Sequence, residues 1–94
     1  MKPLVLHLKR EYWEAIRAGS KREEYRACSM YWETRLRGKR FSEILLLCGY
    51  PKAGDVNRTL RRKWKGFYEK TICHPHFGGQ PTLVFAIDVM EPLS

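Results

Sequence analysis

The apolar residues of this chain come in short bursts. The longest uninterrupted runs, Ile44 to Cys48 and Leu83 to Ile87, are about five residues each. No bilayer-spanning helix is expected, because such a helix needs ~20 apolar residues in a row. Around the bursts the hydrophobic period keeps changing. Leu4, Leu6 and Leu8 alternate with Val5, His7 and Lys9, which reads as a strand with one buried face. From Arg10 to Ala18 the period becomes helical: Tyr12, Trp13 and Ile16 share one face, while Glu11, Glu14 and Arg17 turn to water. Gly19 then supplies the left-handed position that ends helices.

The rest of the chain continues in the same short units. Lys21 to Arg26 reads as a charged strand around Tyr25. Ser29 caps a helix over Met30 to Arg37, with Trp32 and Leu36 on one face and Gly38 as its stop. Phe41 to Cys48 is expected to be a strand buried on both faces, broken by Gly49-Tyr50-Pro51. Leu60 to Ile72 favours a long or bent strand with Gly66 as a bulge; a helix over Arg58 to Lys70 is the rival. His74 to Pro81 is loop by composition. In the last strand, Thr82 to Met90, Leu83, Phe85, Ile87 and Val89 take one face, and Val84 and Ala86 the other. About five strands and two helices in 94 residues make one small α+β domain spanning 1–94, with a single core. Mostly antiparallel strands without a βαβ rhythm point to a compact barrel or curled sheet.

Charge narrows the function. The chain carries 18 Lys and Arg against 10 Asp and Glu, a formal net charge of +8. Such a balance suits phosphate-bearing partners, whose counterions are released on binding, and it equally suits a protein that is basic for solubility alone. The opening Met1 to Leu6 is followed at once by His7, Lys9 and Arg10, with no long apolar stretch of a secretory signal. Cys28, Cys48 and Cys73 are odd in number and widely spaced, so no disulfide framework is expected and a reducing cytoplasm is the simplest compartment.

The densest chemistry lies in Gly19-Ser20-Lys21-Arg22-Glu23-Glu24-Tyr25-Arg26. In an extended chain Glu24 and Arg26 point to one side, and Lys21 is placed to lean over it. An ammonium, a carboxylate and a guanidinium at one cleft edge can bind a phosphate, hold a base edge, or move a proton where burial shifts a pKa. The same residues form a plain charged edge strand if no cleft lies beside them.

Gly19-x-Lys21-x-x-Glu24-x-Arg26 resembles the G-x-K-x-x-E-x-R signature of the ASCH domains of the PUA-like superfamily, and in particular a small phage and bacterial branch with a Glu-Tyr-Arg core. The likeness extends in order through Leu6-His7-Leu8-Lys9, Trp13, Ile16, Tyr31-Trp32, Arg35-Leu36, Leu45 to Tyr50, His76-Phe77-Gly78 and Phe85-Ala86-Ile87, nearly the whole chain. The resemblance implies a PUA-like small β-barrel of five to six strands with a cleft around the motif. It also implies a link to RNA, as a binding domain or, in some members, a ribonuclease. A separate branch hydrolyses the acetyl amide of N4-acetylcytidine with a lysine at the Lys21 position, a threonine where this chain has Glu24, and a later glutamate. Here the threonine is missing and the later glutamate has no clear counterpart, Glu69 being one candidate, so that activity is not carried over as the first expectation.

A second basic tract runs from Lys52 to Lys70, where Arg61, Lys63 and Lys65 surround Trp64, and Phe67 and Tyr68 follow. Cations that track phosphates beside aromatics that stack on bases are how single strands are held, at ~1–3 kcal/mol per stacked base. At least one of these aromatics is expected in the core. Tyr50, in its turn, and Tyr31-Trp32 are further wall residues for a cleft. Cys73-His74-Pro75-His76 holds ligand-type side chains, but zinc takes paired spacings and Cys28 and Cys48 stand alone, so no metal or other cofactor is called for. His74 or His76 can instead carry a proton near neutral pH.

The expectation is an RNA-binding domain acting as a monomer on single-stranded RNA or a nucleotide through Lys21, Arg26, Tyr50, Arg61, Lys63, Trp64 and Lys65. The alternative is a small hydrolase, either a metal-independent ribonuclease or a modified-nucleoside amidohydrolase, with Lys21 and Glu24 as its proton-transfer pair.

Overall fold

Leu4, Leu6 and Leu8 of the first strand point inward and are all but sealed from solvent, as their alternation requires. A computed structural model describes residues 1–93. In chain order it contains β1 (Leu4–Leu8), α1 (Arg10–Ala18), β2 (Glu23–Ala27), α2 (Met30–Leu36), β3 (Ile44–Cys48), β4 (Thr59–Arg62), β5 (Phe67–Cys73) and β6 (Pro81–Asp88). Short 3-10 turns cover Val56–Arg58 and Pro75–Phe77.

The strands form two three-stranded sheets, ordered β1-β3-β4 and β2-β6-β5. Their inner faces share one core, in which Leu4, Leu6, Ile44 and Leu46 meet Phe85, Ile87 and Val89, with Trp13, Ile16 and Leu36 added by the helices. Trp13 is fixed by its indole N–H, which donates to the Leu46 carbonyl at 2.9 Å and so ties α1 to β3. Ser29 caps α2 by accepting from the Trp32 N–H at 3.3 Å.

The small α+β architecture follows the sequence, with four differences of detail. First, β1 and β3 pair in parallel, Leu4 opposite Ile44 through Leu8 opposite Cys48; the other three pairings are antiparallel. The crossover between them includes β2, which belongs to the other sheet, so no βαβ rhythm marks it in the sequence. Second, β3 begins at Ile44 and is fully buried on one face only; Leu45 and Leu47 are half-exposed. Third, the 60–72 stretch is neither one bent strand nor a helix. It divides into β4 and β5, in different sheets, and Gly66 (φ +87°) lies in the corner between them rather than in a bulge. Fourth, Leu83 is exposed although it shares the face of Phe85, because β6, at eight residues, outruns the five-residue β1 and β3 that cover that face. On the outer face Ala86 is sealed because Tyr25 and Tyr68 lie opposite it on the two neighbouring strands.

The two sheets meet along one seam. There Arg62 bridges to Pro92, and the Lys63 N–H donates to the Glu91 carbonyl at 2.9 Å. Among the described residues β1 and β2, the outer strands of the two sheets, have no ladder between them, so no closed barrel is formed. A side chain crosses there instead: Arg26 Nη2 on β2 donates to the His7 carbonyl on β1 at 3.0 Å.

Candidate functional site

A cleft of about 270 Å³ opens beside β1 and β2, where the ladder is missing. Its walls come from the end of β1 (His7, Leu8), from Lys9 and Tyr12, from Lys21 and β2 residues 24–27, and from Trp32 and the 74–77 turn. Each part has a local cause. The Gly19 N–H donates to the Ile16 carbonyl at 3.1 Å and the Ser20 N–H to the Ala15 carbonyl at 3.0 Å. This paired closure of a helix C-terminus requires a left-handed residue, supplied by Gly19 at φ +87°. The chain therefore reverses sharply, and the Lys21 N–H also donates to the Ala15 carbonyl, at 3.1 Å. That fixes where the Lys21 side chain leaves the backbone. Two residues into β2 the pleat turns Glu24 and Arg26 to the same inner side, opposite Ile87 and Phe85.

The three charged groups converge. Arg26 Nη2 donates to Glu24 Oε2 at 2.7 Å, and Lys21 Nζ stands 3.7 Å from Glu24 Oε1. The second distance is an ion pair too long for a hydrogen bond, so Oε1 keeps free acceptor capacity. Glu24 is the one buried charged residue among those described, 7% exposed. Burial of a carboxylate is tolerable only with such partners. Arg26 has committed Nη2 to Glu24 and His7, while its Nε is buried without a partner. Burial pushes the Lys21 ammonium below the usual lysine range; the Glu24 carboxylate opposes this and Arg26 adds to it.

Aromatic rings surround the trio. Lys21 Nζ lies 4.5 Å from the centre of the Tyr25 ring and 5.5 Å from that of Tyr12. The Arg26 guanidinium lies 5.1 Å from the Trp32 ring. Tyr12 meets His74 and His76 edge-on at 5.8 and 5.9 Å. His74 Nδ1 accepts from the His76 backbone N–H at 3.0 Å.

Of the residues singled out in the sequence, Lys21, Glu24, Arg26, Trp32, His74 and His76 line this cleft. The others do not. Tyr50 is almost fully exposed and stacks on His7, at 4.2 Å between ring centres, so it stands outside the cleft against one of its wall residues. Arg61 makes a two-pronged pair with Glu43 at 2.6 and 3.0 Å. Lys63 and Lys65 both pair with Glu91, at 3.4 and 3.1 Å. Trp64 packs half-buried against the core beside Phe41 and Phe67. Glu69 is held by Arg37 at 2.7 Å and does not line the cleft. Sequence reasoning missed His7, Lys9 and Tyr12. Their signal was available: all three fall at the junction of β1 and α1, directly before the motif.

The chain matches no protein-family model, no curated protein and no solved structure.

Proposed function

We propose that this protein is an RNA-binding domain of the ASCH type, holding a nucleotide or a short single strand in the cleft around Lys21, Glu24 and Arg26. One observation carries the reading: all three charged positions of the G-x-K-x-x-E-x-R motif enter a single aromatic-walled concavity. An inert charged edge strand would send them to open solvent. The cleft has three cations, Lys9, Lys21 and Arg26, against one carboxylate, which favours an anionic ligand. Tyr12, Tyr25 and Trp32 offer faces on which a base can stack. The volume is just below the ~300–1,000 Å³ typical of small-molecule sites, a size suited to one nucleotide at a time. A PUA-like fold belongs to the same proposal, as an open form of the barrel with β1 and β2 unpaired; two small sheets that share a core and join at the Arg62–Pro92 seam support it.

The test is binding of a labelled single-stranded RNA at two salt concentrations. The wild type is expected to bind more weakly as salt rises, because phosphate contacts release counterions. Lys21→Ala and Arg26→Ala are expected to lose most of the affinity. Unchanged affinity in both variants at low salt would refute the reading.

The lowered Lys21 pKa and the nearby His74 favour a second reading, a small hydrolase in which Lys21 and Glu24 transfer protons. Turnover of labelled RNA or of a modified nucleoside that disappears in Glu24→Gln would establish it. Turnover that survives that change would remove the role assigned to Glu24.

A further inference from the structure

The order of groups across the cleft carries more than a general affinity for nucleotides. Lys21 approaches Glu24 from the Oε1 side and Arg26 from the Oε2 side, so the carboxylate is bracketed by two cations. The sequence across the site is donor, acceptor, donor. Among the described residues Oε1 receives no hydrogen bond, and Arg26 has Nη1 left once Nη2 is spent on Glu24 and the His7 carbonyl. All three positions therefore retain capacity for a ligand edge.

The complement of that order is acceptor, donor, acceptor. Among the RNA bases only uracil presents it, with O2, N3–H and O4 side by side. Cytosine would set its unprotonated N3 against the Glu24 carboxylate, two acceptors with no proton between them. Guanine would satisfy Glu24 through N1–H but turn its exocyclic amino group toward one of the two cations. Adenine presents one donor and one acceptor and leaves the third group unpaired. Against a carboxylate as buried as Glu24, an unmatched polar group costs far more than it does in water.

The geometry points to a uracil base, carried by single-stranded RNA, as the ligand of the cleft, with Glu24 accepting from N3–H and Lys21 and Arg26 donating to the flanking carbonyls. The inference rests on the nucleotide-binding reading above and adds the identity of the base. Glu24 becomes the specificity-determining residue, and the two cations fix which edge is read.

The experiment is calorimetric titration of the full chain with the 5′-monophosphates of uridine, cytidine, adenosine and guanosine at low salt, and with N3-methyluridine 5′-monophosphate. Uridine is expected to bind about ten-fold or more tightly than the other three natural nucleotides, the scale of one good base-edge match. Methylation of N3 is expected to abolish that advantage. Similar affinity for all four nucleotides would overturn the uracil assignment and leave nucleotide binding standing. A uridine preference that survives N3-methylation would overturn the assignment too, since Glu24 would then not read that proton. Binding of none of them would overturn both. Glu24→Gln, where it folds, is expected to erase the preference; the methylated ligand keeps the test decisive where it does not. Titration with an oligouridylate completes the comparison. Tighter binding of the oligouridylate than of uridine monophosphate supports the RNA strand as the source, and equal or weaker binding overturns that part.

Discussion

Arg26 Nη2 donates at once to Glu24 Oε2 at 2.7 Å and to the His7 carbonyl at 3.0 Å, so one guanidinium neutralises a buried carboxylate and spans the two sheets where no strand ladder joins them. The group expected to touch ligand is therefore also a structural tie. Stability and binding should respond together when it is removed and separately when it is only altered.

Arg26→Ala leaves Glu24 with the more distant Lys21 alone and removes the bond to β1. Breaking a buried pair from one side costs ~3–5 kcal/mol; with a partly exposed guanidinium and a second cation present, about 2–3 kcal/mol is expected. Arg26→Lys keeps the charge but not the planar fork, so it should lose less stability than the alanine change while still weakening nucleotide binding. Chemical denaturation beside a binding titration reads both effects.

Lys21 gives a pH signature of opposite sign in stability and binding. Its folded pKa lies below the ordinary 10.5, chiefly because burial disfavours the ammonium. As pH rises, the folded chain gives up this proton before the unfolded chain does, so the unfolded state holds more protons in that window. The Lys21 contribution to stability therefore rises with pH between the two values. Ligand affinity falls over the same range as the ammonium is lost. Subtracting the pH profile of Lys21→Met from that of the wild type should isolate both trends.

Glu23, on the outer face of β2, predicts the acid limb. Burial acts upward on its pKa, but hydrogen bonds from Tyr68, Lys70 and Tyr25 outweigh it and hold the carboxyl below its usual range. A depressed carboxylate contributes stability above its unfolded pKa and loses it as pH falls through the folded value. Glu23→Gln should flatten the loss of stability on acidification. An acid profile identical to wild type would show that the network is silent.

Much of the site was legible because it rests on local rules. A helix stop at Gly19 and a period-two strand suffice to bring Lys21, Glu24 and Arg26 to one side, and both are written in consecutive residues. The cleft itself was not legible. It depends on β1 lying beside β2, a relation set by the parallel pairing of β1 with β3 across forty residues and by the crossing of β2 into the other sheet. The tract around Trp64 misled for a related reason. Cations and aromatics interleave there as they would in a single-strand groove, yet Glu43 and Glu91, distant in sequence, pair with Arg61, Lys63 and Lys65, and the core takes up Trp64. Gly66 has a similar lesson: one positive-φ residue reads alike as a bulge and as a corner until the partner strands are known.

Those distant pairs yield a control. Arg61→Ala and the Lys63→Ala/Lys65→Ala double change remove exposed ion pairs, which contribute little in water. The denaturation midpoint should hardly move, and affinity for a mononucleotide should stay within about two-fold, since exposed charges remote from a site are screened. A large loss of mononucleotide binding would place the ligand on β4 rather than in the cleft.

Gly19→Ala tests how the motif is positioned. No atom lies within 4 Å of an added Cβ, so the cost is backbone strain at φ +87° alone. It should amount to about 1–2 kcal/mol. Ligand affinity should fall as well, because the reversal that presents Lys21 is loosened.

The most direct measurement is a crystal structure of the protein grown with uridine 5′-monophosphate. The account predicts the base inside the cleft, its edge against Glu24 with Lys21 and Arg26 on either side. A nucleotide bound at Arg61 on β4 and Lys63 just beyond it, with the Lys21–Glu24–Arg26 cleft holding none, would contradict it.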